Sequence, residues 1–227
     1  MAKKIHKKQE RTIYGIVGLG RFGYALATEL AESGAELIVL DNEEEKVREM
    51  REYTENAFVV HSLDKRSLAE TGIANCDVAV VCIGEQMDVS ILTTLNLVSF
   101  GIKKVIAKAK SAEHGEILEK LGAEVVYPER DMALRLATRL ETTKVLDYMQ
   151  LNEQLNISKL AVPAAIVGKT VIEANLRGRF GMNIVAIENG GDVTDFVKPD
   201  YTFRAGDVLI VSGKKDGLRR LSEFASN

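Results

Sequence analysis

Three glycines, an arginine and an aspartate within residues 12–41 carry the clearest chemistry in the chain. Gly18, Gly20 and Gly23 stand in Gly18-Leu19-Gly20-Arg21-Phe22-Gly23, directly after the apolar run Ile13–Val17 and before a helical stretch. Glycines between a buried strand and a helix serve a tight bend, close backbone approach to a pyrophosphate, and close packing of helix on strand. Free N–H groups at the helix start then receive anionic phosphate. Asp41 closes the next apolar run, Leu37–Leu40, 23 positions beyond Gly18. An acid about 20 residues after such glycines accepts hydrogen bonds from ribose hydroxyls. Its charge repels a 2′-phosphate, which disfavours NADP. Arg21 adds planar, charge-assisted donors for phosphate oxygens. A terminal triphosphate needs that extra charge more than the pyrophosphate of a dinucleotide does.

Further candidates follow the later apolar runs. Ser62-Leu63-Asp64 comes after the third, where the base of a bound nucleotide is met, and Ile83-Gly84 after the fourth. Lys108 follows the fifth, and Glu129 follows Pro128 at the end of the sixth. All are placed to line the carboxyl edge of a parallel sheet, where ligands gather. Reaction machinery is missing from this picture. His6, His61 and His114 are the only histidines, and none sits in a recognisable acid–base arrangement; they read as surface or pocket-edge residues. Cys76 and Cys82 are too few for a disulfide framework or a zinc cage and read as reduced thiols, Cys82 in the core. A nucleotide site without reaction groups favours a sensor over an enzyme. The alternative is an NAD(H)-dependent oxidoreductase or NADH redox sensor, which the same glycines and Asp41 would serve.

The elements that position these residues are legible as alternation. Ile13–Val17, Leu37–Leu40, Ala57–Val60, Val78–Ile83, Val105–Ala107 and Val125–Tyr127 are near-continuous apolar runs separated by amphipathic stretches. That pattern predicts an α/β fold, a Rossmann-like doubly wound parallel six-stranded sheet covered on both faces. Its domain spans 12–130. Residues 131–150 are expected to form a crossover helix and linker, one or two helices leaving the sheet. From 151 to 227 short segments bounded by Pro163, Gly168, Gly181, Gly190-Gly191, Pro199 and Gly206 predict a small α+β domain. Its expected strands are Lys159–Val162, Asn183–Glu188 and Val208–Ser212, with helices near Val171–Asn175 and Lys215–Phe224. Gly-Arg-Phe-Gly recurs at Gly178–Gly181. There it follows a helical segment and leads into a strand, so its glycines are expected to end a helix.

With 227 residues and a formal net charge of −3, the chain has no broad attraction to nucleic acid or anionic lipid. No apolar run approaches the roughly 18 residues of a membrane span. The start, with Lys3, Lys4, Lys7, Lys8 and Arg11, lacks the apolar core of a secretory signal and reads as a solvated tail. A cytoplasmic protein is expected. No helix-turn-helix or basic recognition helix supports a DNA-binding reading.

The motifs together resemble the RCK (KTN) family, the cytosolic regulatory subunits of bacterial potassium-uptake systems of the Ktr and Trk type. The carriers run from Ile16-Val17-Gly18-Leu19-Gly20-Arg21-Phe22-Gly23 and Asp41 through Cys82-Ile83-Gly84, Leu92-Thr93-Thr94-Leu95 and Ala107-Lys108-Ala109. They continue with Tyr127-Pro128-Glu129-Arg130-Asp131-Met132, Gly168-Lys169-Thr170 and Gly206-Asp207-Val208-Leu209-Ile210-Val211. The resemblance implies homodimers assembling to a homo-octameric ring. That ring docks on an integral-membrane potassium channel or transporter subunit, at the inner face of the membrane. ATP would favour one ring state and ADP the other. By position Arg21 would reach the terminal phosphate, Asp41 the ribose, and Lys108 the phosphates. Glu129 matches an acidic position that would hold a divalent cation or Na+ between subunits. Arg177 and Asn183 fall where a cyclic di-AMP site would have its arginine and asparagine. Asn42-Glu43 departs from the family pattern, with Glu43 where a neutral polar residue is usual.

Overall fold

The protein is described by a computed structural model covering residues 12–141, 145–152 and 154–226. The basic start with His6, expected as a tail, lies outside the described residues, as do 142–144 of the expected linker. Two compact units divide the chain, the first ending at Pro128 and the second beginning at Glu129. Among the described residues no helix is long and apolar enough to cross a membrane.

The first unit alternates strand and helix. Its elements are β1 (Ile13–Val17), α1 (Arg21–Glu32), β2 (Glu36–Asp41), α2 (Glu44–Met50), β3 (Ala57–Val59), α3 (Lys65–Glu70), β4 (Val78–Val81), α4 (Met87–Ser99), β5 (Lys104–Lys108), α5 (Ala112–Lys120) and β6 (Glu124–Val126). The six strands are all parallel in the order β3-β2-β1-β4-β5-β6. Successive side chains on a strand point to opposite faces. Ile16, Val39 and Val80 therefore pack with Ala27 of α1 and with Val47 and Met50 of α2. Val17, Leu40 and Val81 pack on the other face with Leu68, Leu97 and Leu118 of α3, α4 and α5. Burying each such aliphatic side chain contributes about 1.5–3 kcal/mol, so both faces must be covered and the strands read as continuous apolar runs.

One expectation fails here. His114 is fully buried on α5, neither at the surface nor at a pocket edge. Its Nδ1 accepts from the Lys110 N–H at 3.3 Å, while its Nε2 is buried without a partner. Burial holds the imidazole pKa below its ordinary value. The unfolded chain thus binds the proton more readily, and stability is full above about pH 6.5 and falls as pH drops below it. His114→Leu is expected to flatten that slope, read as the urea midpoint at about pH 7.5 and about 5.5.

The second unit contains α6 (Pro128–Glu141), β7 (Val145–Gln150), β8 (Asn156–Ala161), α7 (Val171–Ala174), α8 (Leu176–Phe180), β9 (Asn183–Asn189), β10 (Asp192–Thr194), β11 (Val208–Gly213) and α9 (Lys215–Ser226). Its five strands form an antiparallel sheet in the order β10-β9-β11-β8-β7. Leu160, Leu209 and Val211 pack with Ile166, Met182, Phe203 and with Leu218 and Leu221 of α9. The recurrent Gly-Arg-Phe-Gly does end a helix: Gly181 caps α8 in the left-handed region at φ 70°.

The expected helical run across 131–150 is corrected. The described helix covers Pro128–Glu141, and Val145–Gln150 is an edge strand paired antiparallel with β8. A register shift between Val145 and Asp147 inserts an extra residue, so the buried Val145 and Tyr148 stand three apart. A bulge thereby converts a period of two into one that mimics a helix. Arg135 of α6 ties this strand back to the helix, its Nε and Nη2 donating to the Asp147 carboxylate at 2.8 and 2.6 Å.

Candidate functional site

In the order β3-β2-β1-β4-β5-β6 the connections reverse direction between β1 and β4. The crevice outside the carboxyl ends of those strands is where ligands bind in such sheets. The glycine turn leaves β1 at this point. Each glycine has a separate physical reason. Gly18 takes φ 96°, in the left-handed region, and donates its N–H to the Leu40 carbonyl at 2.8 Å. A Cβ on Gly20 would meet no atom within 4 Å, so the backbone there faces open space. A Cβ on Gly23 would collide with the Gly18 carbonyl oxygen and lie 2.9 Å from the Cβ of Cys82. The first glycine makes the turn, the second leaves room above the loop, and the third lets α1 close on β1 and β4.

The start of α1 is suited to an anion. Gly20 is its N-cap without a side-chain cap, and its first turn holds no acidic residue. Uncapped N–H groups and the positive end of the helix dipole both favour phosphate. Arg21 is the exposed first residue of this helix, and Phe22 is half-buried against the core beneath it.

Asp41, at the end of β2, adds a contact not foreseen. One carboxylate oxygen accepts the Leu19 N–H from within the glycine turn, and the other accepts the Glu43 N–H at 2.8 Å. The acid thus braces the glycine turn. Asn42 is exposed between these contacts, and Glu43 is paired with Lys46 at 2.5 Å.

The loop after β3 is built around Asp64. Its Oδ1 accepts the N–H groups of Arg66 and Ser67, both at 2.9 Å, which caps α3. Its Oδ2 accepts the hydroxyls of Ser62 at 2.6 Å and Ser67 at 3.1 Å. These bonds pull the Asp64 pKa down to about 2. Stability from the ionised carboxylate is therefore complete above the usual aspartate range near about pH 4 and is lost as pH falls toward 2. Asp64→Ala is expected to lower the melting temperature at neutral pH and to weaken the acid sensitivity, checked by thermal melts between about pH 2 and 7.

Across the switch point, Ile83 packs beside Gly18, and Gly84 lies under Lys108. A Cβ on Gly84 would stand 3.4 Å from the Lys108 Nζ, so the ammonium crosses the carboxyl end of β4. Cys82 beneath is buried and its thiol is pushed up to about 12, while burial pushes Cys76 up to about 11. Both thiols stay protonated at neutral pH and supply no thiolate nucleophile. His61 is exposed on the loop after β3.

The first unit therefore gathers the glycine turn, Arg21, Asp41, Ser62–Asp64, Ile83, Gly84 and Lys108 along one sheet edge. Glu129 stands in the first turn of α6, in the second unit. Arg177 and Asn183 line one cavity of about 560 Å³ in the second unit, together with Ile172, Asn175 and Met182. Among the described residues no three or more His, Cys, Asp or Glu side chains come together as a metal-holding group. Sequence reasoning missed Asn96 of α4, whose Nδ2 donates to the Leu63 carbonyl at 3.1 Å. Its trace in the sequence is a carboxamide between Leu95 and Leu97.

Comparison with known proteins adds an independent line. Residues 14–128 match the TrkA-N domain and residues 157–226 the TrkA-C domain. The chain is 35% identical over 211 residues to Ktr system potassium uptake protein C of Bacillus subtilis (strain 168), covering 92% of this chain and 96% of that protein. It is 33% identical over 208 residues to Ktr system potassium uptake protein A of the same organism, with 91% and 94% covered. Among solved structures, the GsuK RCK domain superposes with a TM-score of 0.64 at 22% identity, covering 97% of this chain and 49% of that one. The GsuK channel bound to NAD gives 0.65 at 21%, covering 97% and 40%. The chain spans half or less of those two chains, and at such identity the likeness is one of fold.

Proposed function

The chain belongs to the TrkA-N/TrkA-C family of potassium-uptake proteins, and from that premise we propose that it is the nucleotide-sensing regulatory subunit of a potassium channel or transporter. The observation that carries this reading is the glycine turn, the uncapped start of α1 and Asp41 gathered at the switch point. His114 is buried away in α5, and both thiols are buried and protonated. The proposed output of such a site is conformation rather than a chemical product.

ATP and ADP are the proposed ligands. Asp41 faces the ribose, the α1 terminus and Gly20 take the first phosphates, and Arg21 and Lys108 supply charge for the terminal one. A ligand shifts an equilibrium only by its difference in affinity for the two states. The extra phosphoryl group must therefore be held more tightly in one ring state. The proposed ring is a homo-octamer built from dimers, docked on an integral-membrane potassium subunit from the cytoplasmic side. A cation at Glu129 would require a shared site, because hard cations take about six or more oxygens and one carboxylate supplies at most two. A cyclic dinucleotide is the proposed occupant of the cavity holding Arg177 and Asn183.

The test is potassium flux in liposomes holding the chain and its membrane partner, with ATP or ADP on the cytoplasmic side. Flux that differs between the nucleotides supports the reading, and identical flux overturns it. The NAD(H) alternative draws on the same glycines and Asp41, and it would be favoured by tighter binding of NADH than of both adenine nucleotides or by any hydride turnover.

A further inference from the structure

We infer that Asn96 is a positioning residue for the base side of the nucleotide site, acting through the main chain of the Ser62–Asp64 loop. The inference rests on the nucleotide reading given above. It starts from Asp64. A carboxylate offers about four lone-pair sites. Asp64 fills them with the N–H groups of Arg66 and Ser67 and the hydroxyls of Ser62 and Ser67. No acceptor remains there for the exocyclic amine of adenine. The Ser62 hydroxyl hydrogen is likewise committed to Asp64. The side chain of Leu63 packs against the core beneath the loop. The polar side chains of this loop therefore build it, and a base lying against it meets main chain and shape.

Recognition by main chain demands that the loop hold one path. Asp64 fixes the end that enters α3. The middle is fixed from another element: Asn96 lies 33 positions away on α4, half-buried, and its Nδ2 donates to the Leu63 carbonyl at 3.1 Å. The Asn96 carboxamide, on a helix flanked by Leu95 and Leu97, finds its partner in this loop carbonyl. Helix α4 follows β4, so the contact also joins the base-side loop to the half of the sheet that carries Gly84 and Lys108.

The test is equilibrium titration of the full chain with ATP, ADP and inorganic tripolyphosphate, the last of which has no base. Asn96→Leu keeps a good helix former of similar size between Leu95 and Leu97 and removes the donor. It is expected to weaken ATP and ADP alike by about fivefold, to leave their ratio unchanged, and to leave tripolyphosphate binding as in the parent chain. Asn96→Gln, which keeps the amide donor, is expected to recover most of the loss. Parent-like nucleotide affinity in Asn96→Leu overturns the inference, as does an equal loss for tripolyphosphate. Should the parent chain bind neither ATP nor ADP, the nucleotide reading itself falls, and this inference with it.

Discussion

Gly23→Ala is expected to unfold the phosphate loop, while Gly20→Ala, three residues earlier, leaves the fold intact and removes the ligand. The added Cβ at position 23 has no space. It would run into the Gly18 carbonyl oxygen and come within 2.9 Å of Cys82 Cβ. Neither neighbour is the end of a flexible side chain. Gly18 is held in the left-handed region and bonded to Leu40, and Cys82 is fixed between β1 and the core. Helix α1 must then lift from the sheet. Overpacking of this kind costs about 1–3 kcal/mol and occasionally more. For a domain of this size the melting temperature should fall by about 5–15 °C. Nucleotide affinity should fall with it, by about tenfold or more, because the N–H groups of α1 move with the helix. At Gly20 the Cβ meets nothing within 4 Å, so thermal melts should match the parent chain. On the proposed reading the new methyl occupies the space a phosphate needs. Parallel melts and ATP titrations separate the two roles, and a Gly20→Ala chain that binds ATP normally would show that no phosphate approaches there.

That contrast also explains what sequence alone could and could not reveal. The glycine turn, the six strands and Asp41 were legible because each meets a local rule: continuous apolar runs for buried parallel strands, glycine where a turn or close approach demands it. The second sheet was less so. Strands β8, β9 and β11 alternate or run apolar and were read within a few residues, but β7 hides behind its bulge and β10 is fully exposed, with no burial pattern to betray it. Helix α8 has only five residues and starts from Asn175 at φ 43°, a left-handed residue that local propensity does not announce. Within the site, the bonds from Asp41 to Leu19 and from Asn96 to Leu63 span 22 and 33 positions. Such contacts are set by the fold, and residue types in order carry no record of them. Nor does the sequence show that the Asp64 carboxylate is occupied within its own loop, by the N–H groups of Arg66 and Ser67 and the hydroxyls of Ser62 and Ser67.

Arg21→Ala should cost ATP far more than ADP. Arg21 opens α1, exposed, directly after the glycine that faces open space. The first phosphates of either nucleotide are served by the backbone N–H groups and the helix dipole, which the substitution leaves in place. In the proposed site the terminal phosphate lies farthest from that terminus and depends on side-chain charge. A hydrogen bond to a charged group is worth about 1.5–3 kcal/mol, so ATP affinity should fall by about tenfold to a hundredfold and ADP affinity by about threefold or less. Arg21→Lys should fall between, since an ammonium keeps the charge and loses the planar fork. The difference should shrink as salt is raised, because an exposed charge is screened over about 8–10 Å at physiological ionic strength. The size of the effect connects to gating. Moving a population from 1:99 to 99:1 takes about 5.5 kcal/mol of differential binding. Divided over the eight pockets of the proposed ring, that is about 0.7 kcal/mol each, less than one charge-assisted bond supplies. A modest preference of Arg21 for one ring state would thus suffice if all pockets act together. Titration of parent and variant with both nucleotides measures the ratio directly. Equal losses for ATP and ADP would remove the terminal-phosphate role from Arg21 and move the sensing of that group to Lys108 or to a neighbouring subunit.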